Sequence, residues 1–211
     1  GFINYTNAQN LNCKAIAENL NKNKFEVYAL RIHFGNNEVF SCNTFFCAQP
    51  FRMTRHLGFL WGIMKADVLY LPKVDTPSWV LKLSKLLNKP MFTTIEENVT
   101  DLSKRNLIES GRFRSEQEMR SYFVNFSAVF GITQYIINNT HNVLRIREAP
   151  LVLGVNLKNF SYYNKESLCS LIFVGSLIKR KRVEEFIKLA KEFPMLNFKI
   201  VGDGSEKERL M

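Results

Sequence analysis

The sequence predicts an α/β fold built on parallel strands. Short, continuously apolar runs such as 68–71 and 91–95 read as strands buried on both faces. Segments of helical period separate such runs along the whole chain. The last stretch repeats the pattern, with Leu171-Ile-Phe-Val-Gly175, a basic loop, a helix, and then Phe198-Lys-Ile-Val-Gly-Asp-Gly204. Sheets of this kind place ligands outside the carboxyl ends of their strands.

Taken in order, residues 2–5 read as a strand and 6–12 as a polar loop rich in Asn and Gln. A helix follows at 15–20, strands at 26–32 and 39–48, a helix at 55–65 and a strand at 68–71. The chain continues with a helix at 78–87, a strand at 91–95, a helical region at 115–125, and strands at 128–133 and 143–146. Residues 156–167 are polar and turn-rich, which marks them as a linker. The expected domains are therefore 1–160 and 161–211. The second domain reads as strand, basic loop, helix, strand and the opening of a helix at 206–211. Two strands cannot bury a core of their own, and Gly1 begins directly on a strand, so both ends read as trimmed and the second domain as incomplete.

Composition narrows the class. A chain of 211 residues with 46% hydrophobic content can build a real core. Its net charge of +10 favours an anionic partner: a nucleotide, a nucleic acid or an acidic membrane surface. Cys13, Cys42, Cys47 and Cys169 form no Cys-x-x-Cys pair, so reduced thiols are expected. No signal peptide or membrane span is legible. A cytoplasmic setting follows as the expectation.

The chemistry concentrates at the end of the chain. Gly175 and Ser176 close a strand, Lys179, Arg180, Lys181 and Arg182 stand before a helix, and Gly202, Asp203 and Gly204 close the next strand. Backbone amides, a helix N-terminus and cations in one place suit a phosphorylated nucleotide. Four cations at a helix start also oppose its dipole, so together they ask for an anion. The opposing reading is a solvated helix start, with the glycines serving only tight turns.

Pro150 with Gly154-Val-Asn-Leu-Lys-Asn-Phe160, then Phe173-Val-Gly175, Lys181 and Ile200-Val-Gly-Asp-Gly204, resembles the core signature of retaining glycosyltransferases of the GT-B type, family 4. The resemblance is specific over 150–210. Upstream it rests on topology, with Asp67-Val-Leu-Tyr-Leu71 and Lys89-Pro-Met-Phe-Thr-Thr-Ile95 similar to acceptor-domain strands. It implies two Rossmann-like, doubly wound domains, an N-terminal acceptor domain and the start of a nucleotide-sugar domain.

That resemblance also implies an activity: transfer of a hexose from a nucleotide-diphosphate sugar to a glycan or lipid-linked acceptor, with retention and without a metal, in bacterial polysaccharide biosynthesis. No separate cofactor is expected. Lys181 stands at the lysine that holds the donor diphosphate, whose departing charge must be neutralised. Ser176 replaces the usual Arg and Arg182 the usual Gly, leaving Lys179 or Arg180 to supply the missing cation. Where the family places a His and an acidic residue after strand 91–95, this chain has Glu96-Glu97. Glu96 is the second catalytic candidate, able to accept a sugar hydroxyl or support positive charge at the anomeric carbon. Asn10 and Asn12, in the expected loop after the first strand, are the acceptor-binding candidates. The family's downstream acidic pair would lie past Met211, so the chain alone is expected to be inactive.

Other patterns weigh less. Arg52, Arg55, Phe59, Leu60, Trp61, Met64 and Lys65 would suit peripheral contact with anionic lipid at an inner membrane face. A helix leading into strand 68–71 must cover a sheet with such residues, so core packing is the expectation there. Lys104, Arg105, Arg112, Arg114 and Arg120 with Phe113, Tyr122 and Phe123 could contact single-stranded nucleic acid. Glu109, Glu116 and Glu118 dilute that patch, and no nucleic-acid partner is expected. His33, His56 and His141 are expected at the surface or with loop partners. The remaining alternatives are a non-catalytic GT-B relative acting as an interaction scaffold and a basic nucleic-acid-binding protein.

Overall fold

A computed structural model of the chain describes residues 2–72, 76–96, 99, 113–140, 144–154 and 170–210. The expected linker at 156–167, Glu97, Cys169, His141 and the basic residues Lys104, Arg105 and Arg112 lie outside them. The chain divides into two compact units, Gly1–Asn156 and Leu157–Met211. All strand pairing among the described residues is parallel, which makes the fold α/β, in three small sheets of two, three and two strands.

In the first unit, helix α1 spans Ala8–Asn19. It starts well before the expected helix because the Asn7 side chain accepts from the Asn10 backbone N–H at 2.8 Å, capping the first turn. Asn10 and Asn12 therefore stand in α1 and not in a loop. Strand β1, Tyr28–Ile32, pairs with β2, Asn43–Cys47, with Ile32 opposite Cys47.

The expected strand at 2–5 is reduced to a single parallel bridge from Phe2 to Leu30. Beyond it the Asn4 side chain does the pairing: its Oδ1 accepts from Ile32 N and its Nδ2 donates to Ile32 O, both at 2.9 Å. A side-chain amide carries the same donor and acceptor as a peptide group and replaces one rung of the ladder. Helix α2, Phe51–Lys65, covers these strands, with Trp61 edge-on to Tyr28 at 5.4 Å and tilted on Phe45 at 5.6 Å.

The next sheet holds β3, Leu69–Tyr70, β4, Met91–Ile95, and β5, Ala128–Gly131, in that order. Helix α3, Ser78–Leu86, and helix α4, Glu116–Phe123, flank it in sequence. α4 begins where Ser115 Oγ accepts from Glu118 N and the Glu118 carboxylate reaches back to Arg114 N at 2.6 Å. The main core lies here, built on Ile63, Val80, Leu81, Met91, Met119 and Val129, each at most 4% exposed. Ile63, Val80, Leu81 and Met119 come from the helices and Met91 and Val129 from the strands, so helix faces close over the sheet.

Two assignments change beyond β5. Gln134–Thr140 forms helix α5, which no expectation covered; its Asn-rich sequence has weak propensity, and buried Ile136 and Ile137 hold it in place. Leu144 and Ile146 are buried but form no strand. Instead Arg147 N donates to Val129 O at 2.8 Å and Leu151 N to Gly131 O at 2.9 Å, an irregular rail beside β5.

The second unit pairs β6, Ser170–Val174, with β7, Asn197–Val201. A 3-10 turn at Lys179–Lys181 leads into helix α6, Val183–Glu192, and the described chain ends with a one-turn helix α7, Lys207–Leu210. Phe186 of α6 sits 5.9 Å from Phe173 and 5.2 Å from Phe198, so the odd-numbered side of β6 is covered. On the other side Ile172 and Val174 remain exposed.

Candidate functional site

In the first unit α1 reaches the carboxyl ends of β3 and β4. Gln9 Nε2 donates to the Pro72 carbonyl at 3.5 Å, and Asn12 Nδ2 donates to Glu96 Oε1 at 3.2 Å. Two of the sequence candidates, far apart in the chain, are thereby brought together. Among the described residues Asn12 is the one hydrogen-bond partner of that half-buried carboxylate. One carboxylate oxygen is oriented by the amide, and the group as a whole keeps acceptor capacity for hydroxyls.

Beneath this pair, the Tyr70 hydroxyl and Thr94 Oγ1 lie 2.9 Å apart, and the Tyr70 ring stacks on Phe92 at 4.7 Å. Burial pushes the Tyr70 phenol up to about 12, against the hydrogen bond from Thr94, with Cys13 and Glu96 adding to the rise. It therefore holds its proton, and either hydroxyl can donate in the bond with Thr94. Sequence reading missed Tyr70 and Thr94. Their signal was position alone, at the carboxyl ends of adjacent strands.

Because the folded pKa lies above the ordinary 10, Tyr70 contributes stability that is complete below pH 10 and is lost as pH rises through about 12. Denaturant unfolding across that interval should show stability falling in the native chain and falling less in Tyr70→Phe. An equal alkaline loss in the variant would show that other groups cause it.

The second unit brings the donor candidates together by joining two loops. Gly175 N donates to Val201 O at 3.0 Å, Leu177 N to Asp203 O at 2.9 Å, and Glu206 N to Leu177 O at 2.9 Å. The loop after β6 is thus stitched to the loop after β7. Gly202 permits the approach, since a Cβ there would stand 1.9 Å from the Gly175 carbonyl oxygen. Gly204 permits it too, with φ at +157° and Leu177 O at 2.4 Å from its Cβ position. Close backbone approach, and not tight turning alone, explains these glycines. Asp203 Oδ1 accepts from Gly204 N at 2.9 Å and lies 3.6 Å from Lys207, so its carboxylate is engaged within the loop.

The four cations divide. Arg182 pairs with Glu185 at 3.5 Å and occupies the left-handed region, φ 50° and ψ 44°, at the start of α6. This is the position where the resemblance has Gly, the residue that adopts such a backbone freely. Lys179, Arg180 and Lys181 are exposed on the 3-10 turn and have no carboxylate partner among the described residues. Ser176 is exposed between β6 and that turn.

Asn10 requires a correction. It is 0% exposed, its Oδ1 accepts from Phe2 N at 3.0 Å, and its Nδ2 is buried with no hydrogen-bond partner among the described residues. It fastens the first residues to α1 and offers no surface to an acceptor; Asn12 does. His33 contacts the Cys47 carbonyl and Gln49, and His56 accepts from Trp79 Nε1 at 3.0 Å, so both have local partners. Cys13, Cys42 and Cys47 are free thiols, and burial pushes Cys47 up to about 11.

Among the described residues there is no group of three His, Cys, Asp or Glu able to hold a metal, and no helix long and apolar enough to cross a membrane. No family model matches the sequence, and no curated protein matches it.

Proposed function

We propose that the chain is part of a retaining hexosyltransferase of the GT-B type, acting at the inner face of a membrane on a glycan or lipid-linked acceptor. Three cations on one turn carry this reading: Lys179, Arg180 and Lys181 stand at the carboxyl ends of β6 and β7 with no carboxylate partner among the described residues. A nucleotide diphosphate supplies the missing charge.

In this reaction the bond from the anomeric carbon to the donor phosphate oxygen breaks. The acceptor oxygen joins the same face of the sugar, and the acceptor's proton leaves with the diphosphate. Lys181 and its neighbours stabilise the charge that develops on that leaving group. In the first unit Glu96, oriented by Asn12, accepts a hydroxyl of the sugar or acceptor, and Tyr70 keeps Thr94 in place below it. Positioning provides much of the remaining rate.

Calorimetric titration with uridine diphosphate and with guanosine diphosphate tests the donor half. One of the two should bind, with affinity falling as salt rises. Absence of binding by both overturns the reading.

A further inference from the structure

We propose that the outward face of α2, continued by α3, is a docking surface for an anionic lipid bilayer. The inward side of α2 buries Gly58 and Ile63 and lays Trp61 on the sheet. Its opposite side carries Met53, Leu57, Leu60 and Met64, spaced four, three and four apart as one helical stripe. They are 56%, 49%, 41% and 66% exposed. No polar side chain interrupts the stripe, and exposed Val68 follows it. A helix on a soluble domain ordinarily turns polar residues to water; a continuous apolar patch marks an interaction site.

Charge selects the partner. α2 and α3 contain no Asp or Glu and five cations, Arg52, Arg55, Lys65, Lys82 and Lys85. All but Arg55, which lies 5.7 Å over Phe59, are exposed. α3 adjoins α2 through the Trp79 to His56 hydrogen bond. Apolar side chains that enter the acyl boundary, with lysine and arginine at the level of acidic headgroups, are the makings of an interfacial helix. A second copy of the chain would set five positive charges against five. The docking surface deepens the transferase reading and rests on it for the membrane's place in the reaction, though not for the contact itself.

The test mixes the full chain with vesicles of phosphatidylcholine containing about 30 mol% phosphatidylglycerol, and with phosphatidylcholine alone, and reads the bound fraction by flotation. Binding is expected on the anionic vesicles only. Leu57→Gln with Leu60→Gln should abolish it, and Lys82→Gln and Lys85→Gln should each weaken it about fivefold. These positions are exposed, so an unchanged melting midpoint verifies the fold, and the lysine variants keep the test open should the leucine pair misfold. No binding, equal binding to neutral vesicles, or a dimer whose mass is lost in the leucine variant would overturn the proposal. Vesicle binding that fails while a diphosphate still binds rejects the docking surface alone; the reverse rejects the transferase reading alone.

Discussion

Gly202→Ala should destabilise the second unit by about 3 kcal/mol or more, the combined scale of overpacking and of broken backbone hydrogen bonds. The added methyl would lie 1.9 Å from a carbonyl oxygen of the neighbouring loop, and that neighbour is backbone, which cannot rotate away as a side chain can. Relief requires the two loops to part. The bonds from Leu177 N to Asp203 O and from Glu206 N to Leu177 O would then break. Amide exchange along β6 and β7 should accelerate while the first unit keeps its protection. Unchanged exchange in those strands would mean that the loops have room to spare.

Charge reversal on the basic turn should have the largest functional effect. Lys179→Glu with Lys181→Glu removes two cations and adds two anions beside the expected diphosphate. Charged hydrogen bonds contribute about 1.5–3 kcal/mol each, so diphosphate affinity should fall about 100-fold or more. Both residues are exposed and unpaired among the described residues, and stability should therefore change little. The salt dependence of binding should flatten at the same time. Retained affinity would place the phosphates elsewhere.

The parts of this architecture that were legible in the sequence are those with strong local signals. Met91–Ile95 and the helix over α3 follow directly from buried apolar runs and helical period. The start of α1 was missed because Asn7 reads as loop by composition, yet acts as a cap. α5 was missed because its Asn-rich sequence has little propensity, and burial of Ile136 and Ile137 overrides it. At the candidate site, Glu96 was visible as a polar residue at a strand end and Asn12 as one in the loop expected after the first strand. Their contact was not, since hydrogen bonds between distant positions leave no pattern in one sequence. Asn10 shows the converse: its residue type suggests sugar binding, and only burial assigns it to structure. On α2 the period was read and its direction was not: Leu60 and Met64, expected in the core, face outward, while Trp61 faces in.

The stripe on α2 also has a redox chemistry. Met53 and Met64 are more than half exposed, whereas Met91 and Met119 are at most 2% exposed. Peroxide converts an accessible thioether to a sulfoxide, a polar and chiral group. Mild oxidation therefore places two strong dipoles on the outward face of α2 and leaves the interior of the unit untouched. The same two side chains are those a sulfoxide reductase could restore.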